Sequence, residues 1–250
     1  KGPIYGVAQF DGELLITDPQ THQSKILEVP MRTKDGDKPV YVGGTDSHNP
    51  RGGSDDHNHM LDDKGRVWMT SRIRQVMDTP SWCQSGSEHP SAQYFPLSNS
   101  SRHASYYDPA TDSFSLIDTC YTTHHLQFAS DADDTLWFSG DKQVIGWINT
   151  KAYDKTGDEQ LSQGWCPTVL DTNGDGKITR PWTEPGEPLN PKRDTRIDAT
   201  HRLGDDVINQ YIANFYYGII PNPVDGSVWL ANPGPTPGAL LRGDPGNNPP

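Results

Sequence analysis

Four histidines lie near the start of two segments, residues 57–70 and 124–140, that share one pattern of apolar runs and acidic turns. They are His57, His59, His124 and His125. Imidazole titrates near neutral pH and can act as a general base, a general acid or a metal ligand. Two or three imidazoles that converge can bind a transition metal. The sequence therefore predicts such a site, with the alternative that some of these rings are simply packed and hydrogen bonded within the fold.

Residues 171–179, DTNGDGKIT, match the first half of a calcium-binding loop. In such a loop, side-chain oxygens at positions 1, 3 and 5 converge because Gly at position 6 turns the chain, and position 7 offers its carbonyl. Those positions are Asp171, Asn173, Asp175 and Lys177. Position 12 is Trp182 instead of Glu, so we predict Glu184, just beyond it, as the closing ligand. A structural calcium ion is expected; the alternative is a turn without an ion.

The position of each residue in the repeated pattern predicts whether it is catalytic or binds a ligand. The predicted catalytic residues are His59, His124 and His125. The predicted ligand-binding residues are His57, Tyr217 and His201. A second divalent metal, besides calcium, is expected at these histidines. By contrast, the acidic pair Asp55 and Asp56, next to His57, is expected in a solvated turn, with the alternative that one of these carboxylates orients an imidazole.

The segments that begin with histidines are predicted to be β-hairpins, because two short apolar runs flank an Asp-containing turn in each. The pattern recurs at residues 216–230, where Tyr216 and Tyr217 replace the histidines. Near the start of the second strands lie Trp68, Trp137 and Trp229. Three copies of one hairpin predict repeated blades of antiparallel sheet.

We therefore predict an all-β fold, a β-propeller of four-stranded antiparallel blades that forms a single domain over residues 1–250. About four blades are expected, so the chain is either a small closed propeller or a segment of a larger one. Long loop insertions are predicted at about residues 31–56, 72–104 and 150–215. The innermost strands of a propeller line its channel, so the histidines should crowd one mouth of that channel.

Composition agrees with many short strands and argues against several functions. Only 32% of residues are hydrophobic, and the 24 Gly and 22 Pro argue against a helical bundle. The formal net charge of -12 argues against nonspecific nucleic-acid binding. No apolar run is long enough for a membrane-spanning helix. The sequence contains no nucleophile elbow, phosphate-binding loop or dinucleotide fingerprint.

The three cysteines do not settle the compartment. Cys83, Cys120 and Cys166 match no zinc-binding spacing, and they allow either one disulfide with a free thiol or three buried thiols. The chain has no signal peptide and begins with Lys1 instead of Met, which suggests a processed or truncated start.

Several of these segments resemble the virginiamycin B lyase (streptogramin lyase) family. Residues 136–140 and 144–149, LWFSG and VIGWIN, are similar to the family's "LWFT…IGRID" core. Residues 217–219 with 225–229 are similar to its "HGI…DGNLWFT" pattern, and residues 108–111 to its "DP-x-TG" turn. The resemblance covers about half of the chain, chiefly residues 105–149 and 216–242, and consists of blade-building motifs.

The resemblance implies a seven-bladed propeller that opens a cyclic depsipeptide by metal-assisted β-elimination, with a histidine as general base. The residue before Gly in the family's pattern falls on His124, Asn58, Tyr217 and Tyr5. The next position, Gly in the family, is His125 and His59 here. This departure adds two imidazoles where the family has none, and the family's magnesium-binding glutamate has no counterpart.

Two functions remain. The first is a secreted, metal-assisted lyase (C–O lyase type) or hydrolase of the streptogramin-lyase type, acting on a small molecule or glycan at the channel mouth. The second is a noncatalytic, calcium-stabilised propeller that binds a glycan or a protein, or serves assembly. Both imply an extracellular or periplasmic protein, with partner chains if the propeller is incomplete and with no nucleic-acid partner. We favour the enzyme, because four histidines at repeat-equivalent positions are unusual for packing alone.

Overall fold

A computed structural model describes residues 2–9, 11–32, 53–197, 216–232 and 239–244. The described chain is mostly β, with five antiparallel sheets of two to four strands and few helices. Each of the four larger sheets is a meander, in which every strand pairs with the next strand along the chain. This agrees with the prediction of short antiparallel strands.

The strands group as follows. Sheet I contains β1 (Ile4–Ala8), β2 (Glu13–Thr17) and β3 (Ser24–Glu28). Sheet II contains β4 (His57–Leu61), β5 (Val67–Ser71), β6 (His103–Asp108) and β7 (Ser113–Ile117). Sheet III contains β8 (Leu126–Phe128), β9 (Thr135–Phe138), β10 (Val144–Asn149) and β11 (Gln163–Pro167). Sheet IV contains β14 (Gly218–Pro221), β15 (Val228–Asn232) and β16 (Ala239–Gly243).

The remaining elements are short. A two-stranded ribbon pairs β12 (Val169–Leu170) with β13 (Thr195–Arg196). The helices are a 3-10 turn (Ser81–Cys83), α1 (Pro90–Tyr94) and α2 (Thr150–Thr156). Among the described residues, no helix is long and apolar enough to cross a membrane.

The first strands of the four larger sheets are neighbours in chain order. β1 lies beside β4, β4 beside β8, and β8 beside β14. All three predicted hairpins are antiparallel pairs, namely β4 with β5, β8 with β9, and β14 with β15. Residues that precede the first strands are therefore brought together, as the histidine site requires.

Hydrophobic cores fill the spaces between successive sheets. Alternate residues of β5 point in opposite directions, as in any strand. Met69 packs in the cluster between sheets I and II, and Trp68 packs in the cluster between sheets II and III. Trp137 of β9 packs in the next cluster, between sheets III and IV. Trp229 of β15 is half-buried.

The predicted insertions differ in content. Residues 33–52, most of the first one, and residues 198–215 of the third lie outside the described residues. Residues 72–102 dock on sheet III, since the indole N–H of Trp165 donates to the carbonyl of Phe95 at 2.7 Å. The range 150–215 contains β11, the fourth strand of sheet III.

The cysteines form one disulfide and one free thiol, the first of the two alternatives. Cys83 in the 3-10 turn is bonded to Cys120, 37 residues further along the chain. Cys166 is a free thiol and is exposed. The disulfide fastens the 72–102 segment to the chain between sheets II and III.

Candidate metal centre

Three imidazoles from two sheets converge on one point. His57, His124 and His125 each offer a ring nitrogen, and these nitrogens lie within 4.8 Å of one another. The ring centroid of His57 is 4.3 Å from that of His124 and 5.2 Å from that of His125. The rings of His124 and His125 stack 4.6 Å apart at an interplanar angle of 11°. A cluster of this size could hold a single metal ion through its imidazoles.

An irregular strand selects His57 for this cluster in place of His59. The pairing of β4 with β5 shifts between these two residues, and Asn58 between them has a φ of 46°. In a regular strand, residues two apart point to the same side, and a bulge breaks that rule. Among the described residues, His57 joins the cluster and His59 does not.

The backbone that carries His124 and His125 is fixed by Ser139, which follows β9. The N–H of His124 donates to the carbonyl of Ser139 at 2.7 Å, and the N–H of Ser139 donates to the carbonyl of His125 at 3.0 Å. Gly140 has a φ of 117°, and a Cβ there would lie 2.6 Å from Cβ of His124. Only glycine fits this position, because any side chain would clash with the histidine.

Hydrogen bonds between sheets hold the first strands in place. The Thr70 hydroxyl is placed between the carbonyls of His57 and His124, at 2.5 and 3.0 Å. The N–H of Leu126 donates to Oδ1 of Asn58 at 3.1 Å. The hydroxyl of Ser139 donates to the carbonyl of Tyr217 at 2.6 Å. The site is thus built on ordered strands, which favours a preformed geometry.

Burial and a neighbouring cation keep the three imidazoles neutral. Desolvation is the main cause that lowers the pKa of His57 to about 4 and that of His124 to about 3. The same cause lowers the pKa of His125. The guanidinium of Arg102 contributes to all three shifts, because a positive charge disfavours a second one nearby. Neutral rings are the form that binds metals.

Arg102 belongs to a buried ionic group that sequence reasoning missed. Nη2 of Arg102 and Nη2 of Arg72 both contact Oδ2 of Asp55, at 2.6 and 2.8 Å. Asp56 is also buried, accepts a hydrogen bond from Ser54 at 2.7 Å, and has its pKa raised to about 6, chiefly by desolvation. The expectation of a solvated turn at Asp55 and Asp56 is therefore wrong.

Of the other two predicted ligand-binding residues, the structure describes Tyr217 but not His201. The ring of Tyr217 lies 4.5 Å from that of His125, edge to face, and its side chain is 43% exposed. Tyr217 therefore forms part of the wall beside the histidines, as its repeat position predicts. His201 lies outside the described residues.

A second cluster of ligand atoms lies at the predicted calcium loop. Carboxylate oxygens of Asp171, Asp175 and Asp194 lie within 4.8 Å of one another. Glu184, the predicted closing ligand, instead contacts Nε of Arg196 at 2.7 Å and accepts from the indole of Trp182 at 2.6 Å. Asp194 was missed because it lies 19 residues beyond Asp175, outside any loop motif.

Comparisons with known proteins do not place this chain in a family. No family model matches this sequence, and no curated protein or solved structure gives a significant match. The geometry of the two clusters is therefore the guide to function.

Proposed function

We propose that this protein is a metal-dependent enzyme whose divalent transition metal is bound by His57, His124 and His125. The observation that carries the proposal is the convergence of their three ring nitrogens within 4.8 Å. Three imidazole ligands are the pattern of catalytic zinc sites that keep further positions for water and substrate. His59 is outside the proposed ligand set.

An unpartnered buried nitrogen and the lack of competing protons support metal binding at neutral pH. Nε2 of His57 is buried and has no hydrogen-bond partner among the described residues. A buried nitrogen without a partner is costly, and a metal ion would satisfy it. Because the pKa values of His57 and His124 are lowered to about 4 and about 3, protons do not compete for these ligands near pH 7.

A metal at this point would act as a Lewis acid on a carbonyl oxygen or would lower the pKa of a bound water. Either effect suits a lyase that removes a proton from the carbon beside the one that carries the ester oxygen, so that an alkene forms and the carboxylate leaves, or a hydrolase in which water attacks the ester carbonyl. Tyr217 lies beside the rings with an exposed side chain and offers an apolar face to a bound substrate. The proposed reaction class is thus C–O lyase or ester hydrolase, acting on a small molecule such as a cyclic depsipeptide.

The proposed setting is a propeller outside the cytoplasm. Successive meander sheets whose first strands are neighbours are the arrangement of propeller blades. The disulfide between Cys83 and Cys120 supports an oxidising compartment. In this setting the three histidines lie at one mouth of the channel between the blades.

The first test is metal content followed by activity. The protein, loaded with zinc and dialysed, should retain about one equivalent, whereas His57→Ala and His125→Ala should lose it and reduce ester cleavage by at least about 100-fold. The substrate that separates the two reactions is a cyclic depsipeptide in solvent enriched in oxygen-18, whereas simple aryl esters, which cannot form an alkene, report hydrolysis alone. Hydrolysis places the label in the acid product, whereas elimination gives an unlabelled alkene.

His22→Asn provides the matched control. His22 is exposed and has a φ of 58°, which Asn also accepts, so metal content and activity should stay unchanged. Retention of full metal content and activity in both cluster variants would contradict the proposal. A wild-type protein that binds no transition metal but retains its fold would instead favour a noncatalytic, calcium-stabilised module, which the acidic cluster at Asp171 supports.

A further inference from the structure

Asp194 carries a carboxylate oxygen in an unfavourable environment. The residue is fully buried. Its Oδ2 accepts a hydrogen bond from the N–H of Thr179 at 2.8 Å, whereas Oδ1 has no hydrogen-bond partner among the described residues. Burying an unpaired carboxylate oxygen is costly unless a proton or a cation compensates for it.

The neighbours of Asp194 make the environment more unfavourable still. Its carboxylate lies within 4.8 Å of those of Asp171 and Asp175, which are exposed. Charged carboxylates at this distance repel one another. No cationic side chain forms an ion pair with these three residues in the described part of the chain. A bound cation would remove both the repulsion and the unpaired oxygen.

The loop before Asp194 is already folded around the point where such a cation would lie. The carboxylate of Asp171 accepts from the N–H groups of Gly174 and Gly176, each at 2.8 Å. Both glycines have positive φ, 76° and 75°, which turns the chain tightly. Asn173 accepts from the N–H of Asp175 at 2.9 Å. These bonds orient the side chains at loop positions 1, 3 and 5.

We propose that this cluster binds one calcium ion and that Asp194 supplies the ligand that the loop itself lacks. The remaining ligands are Asp171, Asn173, Asp175 and the carbonyl of Lys177, whose spacing is that of a calcium loop. An all-oxygen set with three carboxylates suits a hard cation and differs from the imidazole set of the other centre. Glu184 is excluded because it is engaged by Arg196 and Trp182.

The position of Asp194 indicates that the ion has a structural role. Asp194 directly precedes β13, and β13 pairs with β12, which directly precedes the loop. The carbonyl of Asp194 also accepts from the N–H of Thr183 at 2.8 Å. Calcium therefore joins the two ends of residues 171–194 and holds them against the ribbon. The ion stabilises this segment and takes no part in the chemistry at the histidines.

Calorimetric titration of chelator-treated protein with calcium tests this proposal. Wild type should bind one equivalent, and Asp194→Asn and Asp175→Asn should each weaken binding by at least about tenfold, since affinity follows ligand charge. Asp175 is exposed, so its variant should fold even if the buried Asp194→Asn variant does not. Glu184→Gln is the matched control, which should bind as wild type does.

Thermal unfolding separates the ligand role from general damage. Wild type and Glu184→Gln should unfold at higher temperature when millimolar calcium is added, and Asp175→Asn should gain much less. Transition-metal content at the histidines should be equal in all variants. Wild type that binds no calcium, Asp175→Asn that binds as tightly as wild type, or Glu184→Gln that loses binding would each overturn the proposal.

Discussion

Burial next to a guanidinium changes what the three imidazoles can do. An ordinary histidine is partly protonated near pH 6.5, but desolvation and Arg102 lower the pKa of His57 and His124 far below that value. His124 and His125 were identifiable from the sequence because their residue type and repeat position both pointed to a site. The absence of His59 from the cluster was not, since a bulge at Asn58 has no reliable sequence signal. Arg102 comes from an insertion, so only the folded chain brings it near.

The lowered pKa of His124 makes stability depend on pH. Its folded pKa is about 3 and its unfolded pKa about 6.5, so between these values the unfolded state binds more protons. Metal-free wild type should therefore lose stability as the pH falls through this window, relative to His124→Gln, which does not titrate. The slope should be below ~1.4 kcal/mol per pH unit, because the ring is partly exposed.

Urea unfolding of both proteins between pH 7.5 and pH 5 measures this difference. The raised pKa of Asp56 acts in the opposite direction, but it is present in both proteins and cancels. A stability difference that does not change with pH would show that the His124 ring is not desolvated.

Close contacts between strands and aromatic rings hold the sheets in position. Gly146 of β10 leaves space for the ring of Tyr121, whose hydroxyl donates to the carbonyl of Trp147 at 2.9 Å. The three hairpins were predictable because apolar runs flank a turn in each. β11, QGWCP, was not, because it has few apolar residues and follows a helix. Its place in sheet III depends on pairing with β10.

Gly146→Ala tests this packing. A Cβ at Gly146 would lie 2.2 Å from Cε2 of Tyr121, so the variant should lose about 1–3 kcal/mol of unfolding free energy. Gly218→Ala in β14 is the control, because its Cβ would meet only Cβ of Ala231, at 3.6 Å. That variant should change stability by about 0.5 kcal/mol or less. Equal effects in denaturant unfolding would contradict the described packing at Tyr121.

The insertions brace the sheets through contacts between residues that are far apart in the chain. The imidazole of His89 stacks on the indole of Trp165 at 4.7 Å, and the guanidinium of Arg180 lies over the rings of Tyr94 and Trp182, at 4.0 and 4.5 Å. The mostly β architecture was predictable from turns and repeats. The docking of the insertions was not, because contacts between residues 70 or more positions apart leave no local pattern.

The disulfide is the covalent part of this bracing. Cys83→Ser with Cys120→Ser should lower the unfolding free energy by about 3–4 kcal/mol, since the bond closes a loop of 37 residues. Cys166→Ser, which removes only an exposed free thiol, should have little effect. Denaturant unfolding would compare them, and a double variant as stable as Cys166→Ser would exclude a bracing role.

Anomalous diffraction from crystals grown with zinc, recorded at the metal's absorption edge, would show whether the three imidazoles bind the metal. We predict a single strong peak about 2.0–2.1 Å from ring nitrogens of His57, His124 and His125. Metal-loaded crystals with no peak between these three rings, or with metal only at other positions, would contradict the assignment of a catalytic metal to the histidine cluster.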